Sequence, residues 1–346
     1  MHPHANVLVV TSGWPRPEAP SHCVFIRRQM DSLADRGVRY ETLLIHGYRS
    51  PAAYAVAALR LALLNLRPRR YVLVHAHGGE AALVACLYRR APCLVSYLGG
   101  DLLGNSYRPD SVVPLGGRIR RWIIRRGAYF AGATITKSAE MEQVLPRRVQ
   151  PRNRVIPNGV DTRLFHPHGR AAARRRLRWA PDEKIALFVG DPSELRKRYG
   201  LATRAVDAAQ SALGKLRLVV AHQIDPELIP VYMSAADCLL LLSWMEGSPN
   251  VVKEALMCDL PVIATAVGDV PELLAPVHPS FVVEPTCESV TSALIACVRS
   301  PTRSDGRLRS ARLSSGAVAD QVLALYQRLG NGRALVSCEI SSEVAS

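Results

Sequence analysis

Short runs of branched apolar residues alternate with amphipathic stretches along almost the whole chain. A first series of runs predicts strands at residues 6–12, 40–45, 71–77, 92–98, 133–136 and 153–159. After a turn-rich break, a second series predicts strands at residues 184–190, 216–222, 238–244, 260–267 and 280–284. Between the runs, apolar positions recur with helical spacing, as in residues 21–37.

Strands that are apolar along their whole length are typical of parallel sheets covered by helices on both faces. Two successive β/α series therefore predict an α/β protein with two doubly wound, Rossmann-like β/α/β domains that face a cleft. We place the N-terminal domain at residues 1–165 and the C-terminal domain at residues 166–315. A helix at residues 316–330 would return towards the N-terminal domain, and residues 331–346 would form a loose tail.

Arginine clusters dominate the charge of the chain. Its 346 residues carry a net charge of +15, and the clusters lie at 67–70, 118–127, 146–154 and 170–178. Such a cluster is a solvated face, or it binds an anionic membrane surface, a phosphate-rich ligand or nucleic acid. The sequence has no zinc-finger spacing, RNP signature or long basic helix with heptads, so nucleic acid is not an expected partner.

Other functional classes lack their sequence patterns. No apolar run reaches the ~18 residues of a membrane span, and the first residues do not resemble a signal peptide, so we expect a cytoplasmic protein. The eight cysteines include no CxxC pair, which gives no support to zinc or thioredoxin-type sites. The stretch VVTSGWP after the first strand lacks the G-x-G-x-x-G of dinucleotide-dependent hydride transfer.

The stretch EGSPNVVKE, at residues 246–254, follows a predicted strand and opens a helix. Ser248 is a preferred N-cap type, and Pro249 suits the first helical position. These two residues predict a helix that begins at Pro249 and ends at Cys258, before the next proline.

This turn also brings together groups that suit a phosphate. Gly247 lets the backbone approach a ligand closely, and the N–H groups of Asn250 and Val251 point out of the positive end of the helix dipole. Two acids flank the turn. Glu246 could simply complement the helix N-terminus and Glu254 could pair with an arginine, but the surrounding strand, glycine and proline favour a ligand site.

Residues 233–274, which contain this turn, closely resemble the family-4 retaining glycosyltransferases. Those enzymes have the two-domain GT-B fold, and their mark is an E-x7-E element in the C-terminal domain. The stretches VIPNGVDTRLFHP, HAHGGEAALVA and PCLVSYLGGDLLG resemble other parts of the family. The resemblance extends over residues 6–330, and the subgroup is similar to cell-surface polysaccharide enzymes such as teichuronic acid transferases.

The resemblance implies roles for the residues of the turn. Glu254 would hold the ribose hydroxyls of a nucleotide-diphosphate sugar, and Glu246, as a catalytic residue, would contact the donor sugar near its 3-hydroxyl. The remaining donor-binding residues would line the sugar and the diphosphate; they are Gly247, Ser248, Pro249, Asn250 and Val251.

Side-chain cations for the diphosphate are expected from the stretch FVGDPSELRKRYG at residues 188–200. Relatives often carry an arginine where Asp191 stands here. Lys197 matches the family's lysine as a second catalytic residue, and Arg196 or Arg198 would take over the role of the missing arginine. A solvated charge run is the alternative for these three cations.

The N-terminal half departs further from the family, with Cys23 in place of a glycine and Leu98 in place of a histidine. Residues that would face the acceptor, at the ends of two predicted strands, are His77, Gly99, Gly100 and Asp101. His77 is equally compatible with a purely structural role.

The resemblance implies transfer of a sugar to a hydroxyl of a glycan or a lipid-diphosphate-linked acceptor, with no cofactor. No metal is expected, because the chain has no Asp-x-Asp. Residues 116–130 would form a helix with its apolar residues towards the core and its arginines at an anionic membrane. Two alternatives remain open: a nucleotide-sugar 2-epimerase, and a non-catalytic GT-B subunit that binds a partner enzyme.

Overall fold

A computed structural model describes residues 6–19, 22–47, 49–104, 114–299 and 302–330. The predicted tail at 331–346 lies outside these ranges. Within them the chain forms one six-stranded and one five-stranded sheet, each following one of the two series of apolar runs.

The N-terminal sheet contains parallel strands only, among the residues described. Its strands are β1 (Val7–Thr11), β2 (Tyr40–Leu44), β3 (Leu73–His77), β4 (Cys93–Ser96), β5 (Ala133–Thr136) and β6 (Asn153–Val155). Its helices are α1 (Val24–Ala34), α2 (Ala52–Leu64), α3 (Gly79–Ala85), α4 (Leu115–Gly127) and α5 (Ala139–Gln143). The strand order is β2-β1-β3-β4-β5-β6.

Alternate residues of these strands build two cores, one on each face of the sheet. Leu8 and Val10 of β1 pack on the side that α2, α3 and α4 cover. Val7 and Val9 of the same strand pack on the other side, with α1 and the last helix of the chain. Burial on both faces is the reason why the strands read as continuous apolar runs.

The C-terminal sheet has the order β11-β10-β9-β7-β8, again with parallel pairing. Its strands are β7 (Lys184–Val189), β8 (Leu216–Ala221), β9 (Cys238–Leu241), β10 (Val262–Thr265) and β11 (Phe281–Val283). The helices are α6 (Arg170–Leu177), α7 (Tyr199–Leu213), α8 (Ile229–Ala235), α9 (Asn250–Met257), α10 (Val270–Leu274), α11 (Cys287–Arg299), α12 (Gly306–Arg309) and α13 (Ser315–Leu329).

The last helix, α13, belongs to the C-terminal part of the sequence but packs against α1 of the N-terminal domain. Val322 and Tyr326 are fully buried there. At the start of α13, the Ser315 N–H donates to the Val160 carbonyl at 2.7 Å, and the Val160 N–H donates to the Leu313 carbonyl at 2.8 Å. The chain therefore crosses between the domains twice at one place, which ties the two sheets together.

The α/β class and the two doubly wound domains are confirmed. One arginine cluster differs from the expected solvated face, because Arg174 of α6 is only 2% exposed. Its guanidinium donates to the carbonyls of Ala235 and Ala180 at 2.9 and 3.2 Å and lies 3.3 Å from the Asp237 carboxylate. Part of the basic excess is thus structural, since it satisfies buried backbone oxygens.

The helix at the second basic cluster, α4, exposes most of the apolar residues that were predicted to face the core. Ile119, Trp122 and Ile123 are 42–59% exposed, and only Ile124 is buried. Arg121 and Arg125 instead face the protein, where they donate to the carbonyls of Leu103 and Leu102. The expected inward apolar face was wrong, because the carbonyls of the neighbouring loop recruit the arginine face of the helix.

None of the helices in the described ranges combines the length and the apolar character that a membrane-crossing segment requires.

Candidate active site in the interdomain cleft

The carboxyl ends of the two sheets meet at the loops that follow β4 and β9. A Cβ built on Gly247 would lie 3.3 Å from the Gly99 Cα and 3.1 Å from the Met141 Sδ, so the domains touch here. Beside this contact lies a cavity of about 170 Å³. It is lined by Leu98, Gly99, Gly100, Leu103, Gly104, Arg196, Met245, Glu246 and Gly247. The structure therefore brings predicted donor-side and acceptor-side residues to one place.

Glu246 is fixed by two partners at the edge of this cavity. Its Oε1 accepts a hydrogen bond from the Ser243 hydroxyl at 2.9 Å and lies 2.5 Å from an Arg196 nitrogen. Arg196 also contacts Glu194 at 2.7 Å and donates to the Met245 carbonyl at 2.9 Å. Arg196 is thus engaged by two carboxylates, and it orients Glu246.

The Lys197 ammonium occupies the space that a side chain at position 190 would need, so this position requires a glycine. Its Nζ lies 3.4 Å from the Val189 carbonyl oxygen and 3.7 Å from Glu194. Gly190 has a φ of +127°, and a Cβ there would come within 1.9 Å of the Lys197 Nζ. The strand end, the glycine and the lysine therefore form one unit in which the ammonium lies against the backbone.

Arg198 makes a different set of contacts. It has a left-handed backbone, with φ +56°. Its guanidinium lies over the Trp244 ring, 3.8 Å from the centroid, and donates to the Pro285 carbonyl at 2.6 Å. Arg198 packs against the β11 side of the site, whereas Arg196 contacts Glu246.

The start of α9 differs from the prediction. The N-cap is Pro249, with extended backbone, and no side chain caps the helix. Ser248 was wrongly expected to cap it. Its hydroxyl instead donates to Asp269 Oδ2 at 2.7 Å and accepts from the Lys253 ammonium at 3.0 Å. Without a side-chain cap, the first N–H groups of α9 keep the capacity to bind an anion.

Glu254 lies further along α9 and contacts the other domain. It is one-fifth exposed, and its Oε1 is 3.8 Å from a nitrogen of Arg28 in α1. Burial raises the pKa of Glu254, although the nearby Arg28 and Lys253 favour the charged carboxylate. Arg28 thus supplies the charge partner of Glu254 across the cleft.

On the acceptor side, Asp101 organises its own loop. Its carboxylate accepts the N–H groups of Leu98, Gly99 and Leu102 at 3.0–3.2 Å. Burial nevertheless raises the pKa of Asp101. With its oxygens directed at the backbone, Asp101 holds the Gly99–Gly100 turn against the cleft.

His77 ends β3 and is only 1% exposed. Its ring lies 4.0 Å from that of His75, centroid to centroid. His75 in turn bonds to the hydroxyls of Tyr326 and Ser96 at 2.7 and 2.8 Å. Neither ring nitrogen of His77 has a hydrogen-bond partner among the described residues. Burial and then the charge of Lys137 lower the pKa of His77 to about 3, so its imidazole is neutral.

Sequence reasoning missed three charged residues of the cleft: Lys137, Lys253 and Asp269. Lys137 follows β5 and is 2% exposed, and Lys253 is fully buried in α9. The local sequence gives no signal that these charges are buried. Gly268, beside Asp269, has φ +55°, and a Cβ there would lie 2.5 Å from the Gly247 carbonyl oxygen. The Asp269 loop therefore packs directly on the E-x7-E turn.

No group of three or more His, Cys, Asp or Glu side chains in the described part of the chain is arranged to hold a metal ion.

Two family models match the chain, one for each domain. Residues 4–164 match Glycosyltransferase Family 4, and residues 172–300 match Glycosyl transferases group 1.

Among curated proteins, one similar relative is TuaC of Bacillus subtilis, whose name assigns it to teichuronic acid biosynthesis. It is 26% identical over 232 residues, which cover 62% of this chain and 57% of TuaC. The D-inositol 3-phosphate glycosyltransferase of Segniliparus rotundus is 29% identical over 216 residues, or 52% of this chain and 48% of that protein. The chain thus spans about half the length of these curated relatives.

Solved structures share the same architecture. Sucrose-phosphate synthase from Thermosynechococcus elongatus superimposes with a TM-score of 0.69 at 22% identity, covering 93% of this chain and 98% of that one. HepE of Anabaena, in complex with UDP and glucose, gives a TM-score of 0.67 at 16% identity and covers 93% and 100% of the two chains. At these identities the similarity establishes the fold, which is GT-B.

Proposed function

Since the chain belongs to the family-4 glycosyltransferases of GT-B fold, we propose that it is a retaining enzyme of cell-surface polysaccharide synthesis. It moves a sugar from a nucleotide-diphosphate sugar to a hydroxyl of a glycan or lipid-linked acceptor. The name of TuaC supports the polysaccharide role. The observation that carries the proposal is one interdomain cavity lined by Glu246, Gly247 and Arg196. Arg196 directly precedes Lys197, and Gly247 lies just before the uncapped start of α9.

The donor diphosphate binds between Lys197 and the first turn of α9. Negative charge develops on this diphosphate as the glycosidic bond breaks, and an ammonium and a helix N-terminus placed there stabilise it more in the transition state than in the ground state. The absence of a side-chain cap on α9 supports this role. We propose that these groups provide the stabilisation without a metal ion.

Glu246 and Glu254 hold opposite ends of the donor. Glu246 is preoriented by Arg196 and Ser243 at the cavity that receives the sugar. Glu254 accepts the ribose hydroxyls after its contact with Arg28 loosens; at 3.8 Å this contact is longer than a direct hydrogen bond. The acceptor hydroxyl enters from the Gly99–Gly100 turn and attacks the face that the nucleotide leaves.

The outward face of α4 docks on the anionic surface of the inner membrane leaflet. Ile119, Trp122 and Ile123 are exposed on it, and Arg118 and Arg126 are exposed on the same helix. Helix α2, which like α4 packs against α3, also exposes apolar side chains, namely Val56, Leu59 and Leu63. Apolar residues among basic ones are typical of helices that lie in a membrane interface. We place the protein in the cytoplasm at the membrane surface.

The test is a panel of UDP-, GDP-, dTDP- and ADP-sugars with thermal-shift and nucleotide-release readouts. We expect one nucleotide sugar to raise the melting temperature and to release its nucleoside diphosphate slowly in water and faster with a glycan acceptor. Transfer with retained anomeric configuration, followed by NMR, supports the proposal. Isomerised sugar without transfer identifies a 2-epimerase, and an absence of binding across the panel supports a non-catalytic subunit.

A further inference from the structure

Two strands of the N-terminal sheet end beside the cleft in side chains that lack polar partners. His77 closes β3, and Lys137 follows directly after β5. Both are at least 98% buried. The Lys137 ammonium, like both ring nitrogens of His77, has no hydrogen-bond partner among the described residues. A buried ammonium without a partner is costly, and burial lowers the pKa of Lys137 to about 7. An anion that pairs with Lys137 would restore its charged form.

The charges around Lys137 do not provide a direct counter-ion. The Asp101 carboxylate acts on Lys137 electrostatically, but the Asp101 oxygens already accept several backbone N–H groups. Across the domain boundary the influential neighbour is Lys253, a second buried ammonium. Lys253 has its own partner in the Ser248 hydroxyl at 3.0 Å. Lys137 thus faces a like charge and a neutral imidazole, and the group that would complete this arrangement is an anion.

Lys137 also lines a cavity that could hold the rest of such a ligand. This cavity, of about 500 Å³, lies between the domains. Its charged and hydroxyl lining consists of Lys137, Ser138 and Glu140 on one side and Asp269, Glu272 and Arg312 on the other. Asp269 Oδ1 is buried there without a partner among the described residues. Gln143 and Gln321 add amide groups to the lining. Carboxylates and amides are suited to sugar hydroxyls, because they accept or donate hydrogen bonds in several directions.

This cavity adjoins the donor site. Gly268, in its lining, packs against the backbone oxygens of Glu246 and Gly247. Ser248 links the two sites by contacting both Asp269 and Lys253. The Lys137 ammonium itself is enclosed while the domains touch at Gly99 and Gly247, so a ligand would reach it when the cleft opens and would be held when it closes.

We propose that Lys137 binds an anionic group of the acceptor, a phosphate or a carboxylate, while the adjoining cavity holds the sugar ring or rings next to that group. The inference rests on the proposed transferase function and names the class of its acceptor. It assigns Lys137 a role in binding and selecting the acceptor, separate from the donor-binding role of Lys197.

The test is calorimetry with the donor site already filled. The protein is first saturated with whichever of UDP, ADP or GDP binds most tightly, and inorganic phosphate, glucuronate or glucose is then titrated. Phosphate and glucuronate distinguish a phosphate from a carboxylate acceptor, and glucose is the neutral control. Lys137→Met removes the ammonium, and Lys137→Gln keeps a polar group of similar length. Lys215→Met, at an exposed position, is the control with the same change in net charge.

We expect at least one of the two anions to bind the wild-type protein and to lose roughly ten- to a hundred-fold in affinity in Lys137→Met and Lys137→Gln, the effect of one charged hydrogen bond. Lys215→Met should bind the anion like wild type. Nucleotide affinity measured without the anion should stay within about twofold in the Lys137 variants, because Lys137 does not line the donor cavity.

Equal anion affinity in wild type and the Lys137 variants would overturn the inference, as would a wild-type protein that binds nucleotide but neither anion. Both results leave the transferase proposal intact. A protein that binds none of the nucleotides contradicts the proposed function itself, and the acceptor inference falls with it.

Discussion

Gly190→Ala should lower turnover, because the added Cβ would displace the Lys197 ammonium. A Cβ on Gly190 would lie 1.9 Å from the Lys197 Nζ and 3.0 Å from its Cε. To reach an ordinary contact of 3.4 Å, the ammonium must move by about 1.5 Å. A displacement of ~1 Å in a positioned catalytic group costs about 10²-fold in rate. Lys197→Ala, which removes the charge, should cost ~10²–10³ in kcat.

The double variant Gly190→Ala/Lys197→Ala separates displacement from other effects. If Gly190 acts only by leaving room for Lys197, the double variant should turn over no more slowly than Lys197→Ala alone. The two effects are then strongly non-additive in a double-mutant cycle. The readout is kcat for nucleotide release under saturating donor. Multiplied losses in the double variant, or a normal kcat in Gly190→Ala, would refute this reasoning.

Backbone strain needs its own control, because Gly190 has a φ of +127° that alanine tolerates poorly. Gly214 also has a positive φ, of +70°, but nothing lies within 4 Å of its Cβ position. Gly214→Ala should lower the free energy of unfolding by ~1–3 kcal/mol, the same strain cost that is expected for Gly190→Ala. It should leave kcat unchanged. A loss of turnover in Gly214→Ala would show that strain alone affects catalysis.

Four further outcomes are expected. Glu254→Ala should weaken nucleotide-sugar binding by ~1.5–3 kcal/mol in calorimetry, and unchanged affinity with an intact fold would rule out the ribose assignment. Turnover should persist in EDTA. A loss of turnover in EDTA that Mg²⁺ or Mn²⁺ restores would contradict the proposed metal independence. Ile123→Glu should weaken binding to anionic vesicles more than tenfold, since burying one such side chain contributes ~1.5–3 kcal/mol. The control Leu308→Glu, at an exposed leucine of α12, should leave this binding unchanged, and equal binding of both variants would refute docking through α4. Burial lowers the pKa of Lys137 from 10.5 to about 7. Between these two pH values the unfolded chain binds more protons than the folded protein, so the free energy of unfolding should rise with pH. Lys137→Met should flatten this rise relative to wild type, and parallel pH profiles of the two proteins would contradict the prediction.

The fold could be predicted because its signal is local. The central strands of both sheets are buried on both faces, so their residues are mostly apolar whatever the neighbours are. Leu8 and Val9, for example, pack into different cores but look alike in sequence. The E-x7-E turn was recognisable for a similar reason, since the strand, glycine and proline that shape it are consecutive.

The errors arose where a side chain has a choice of distant partners. Ser248 looks like an N-cap, but Asp269, twenty-one residues away, competes successfully for its hydroxyl. The arginines of α4 look solvated, but the carbonyls of Leu102 and Leu103 recruit Arg121 and Arg125 and rotate the apolar face outwards. Hydrogen-bond partners of this kind follow from tertiary structure and leave no trace in local sequence.

Buried charge is the extreme case of this limit. A lysine at the end of a strand, as in ATITKS, or inside an amphipathic helix, as in VVKEAL, is as compatible with exposure as with burial. Only the closure of the two domains places Lys137 and Lys253 within electrostatic range of each other. Because two buried ammonium groups repel, an anion between them would favour the closed cleft over the open one. Acceptor binding at Lys137 would then also help to bring the Gly99 turn and the donor helix α9 together, which couples loading of the acceptor to assembly of the donor site.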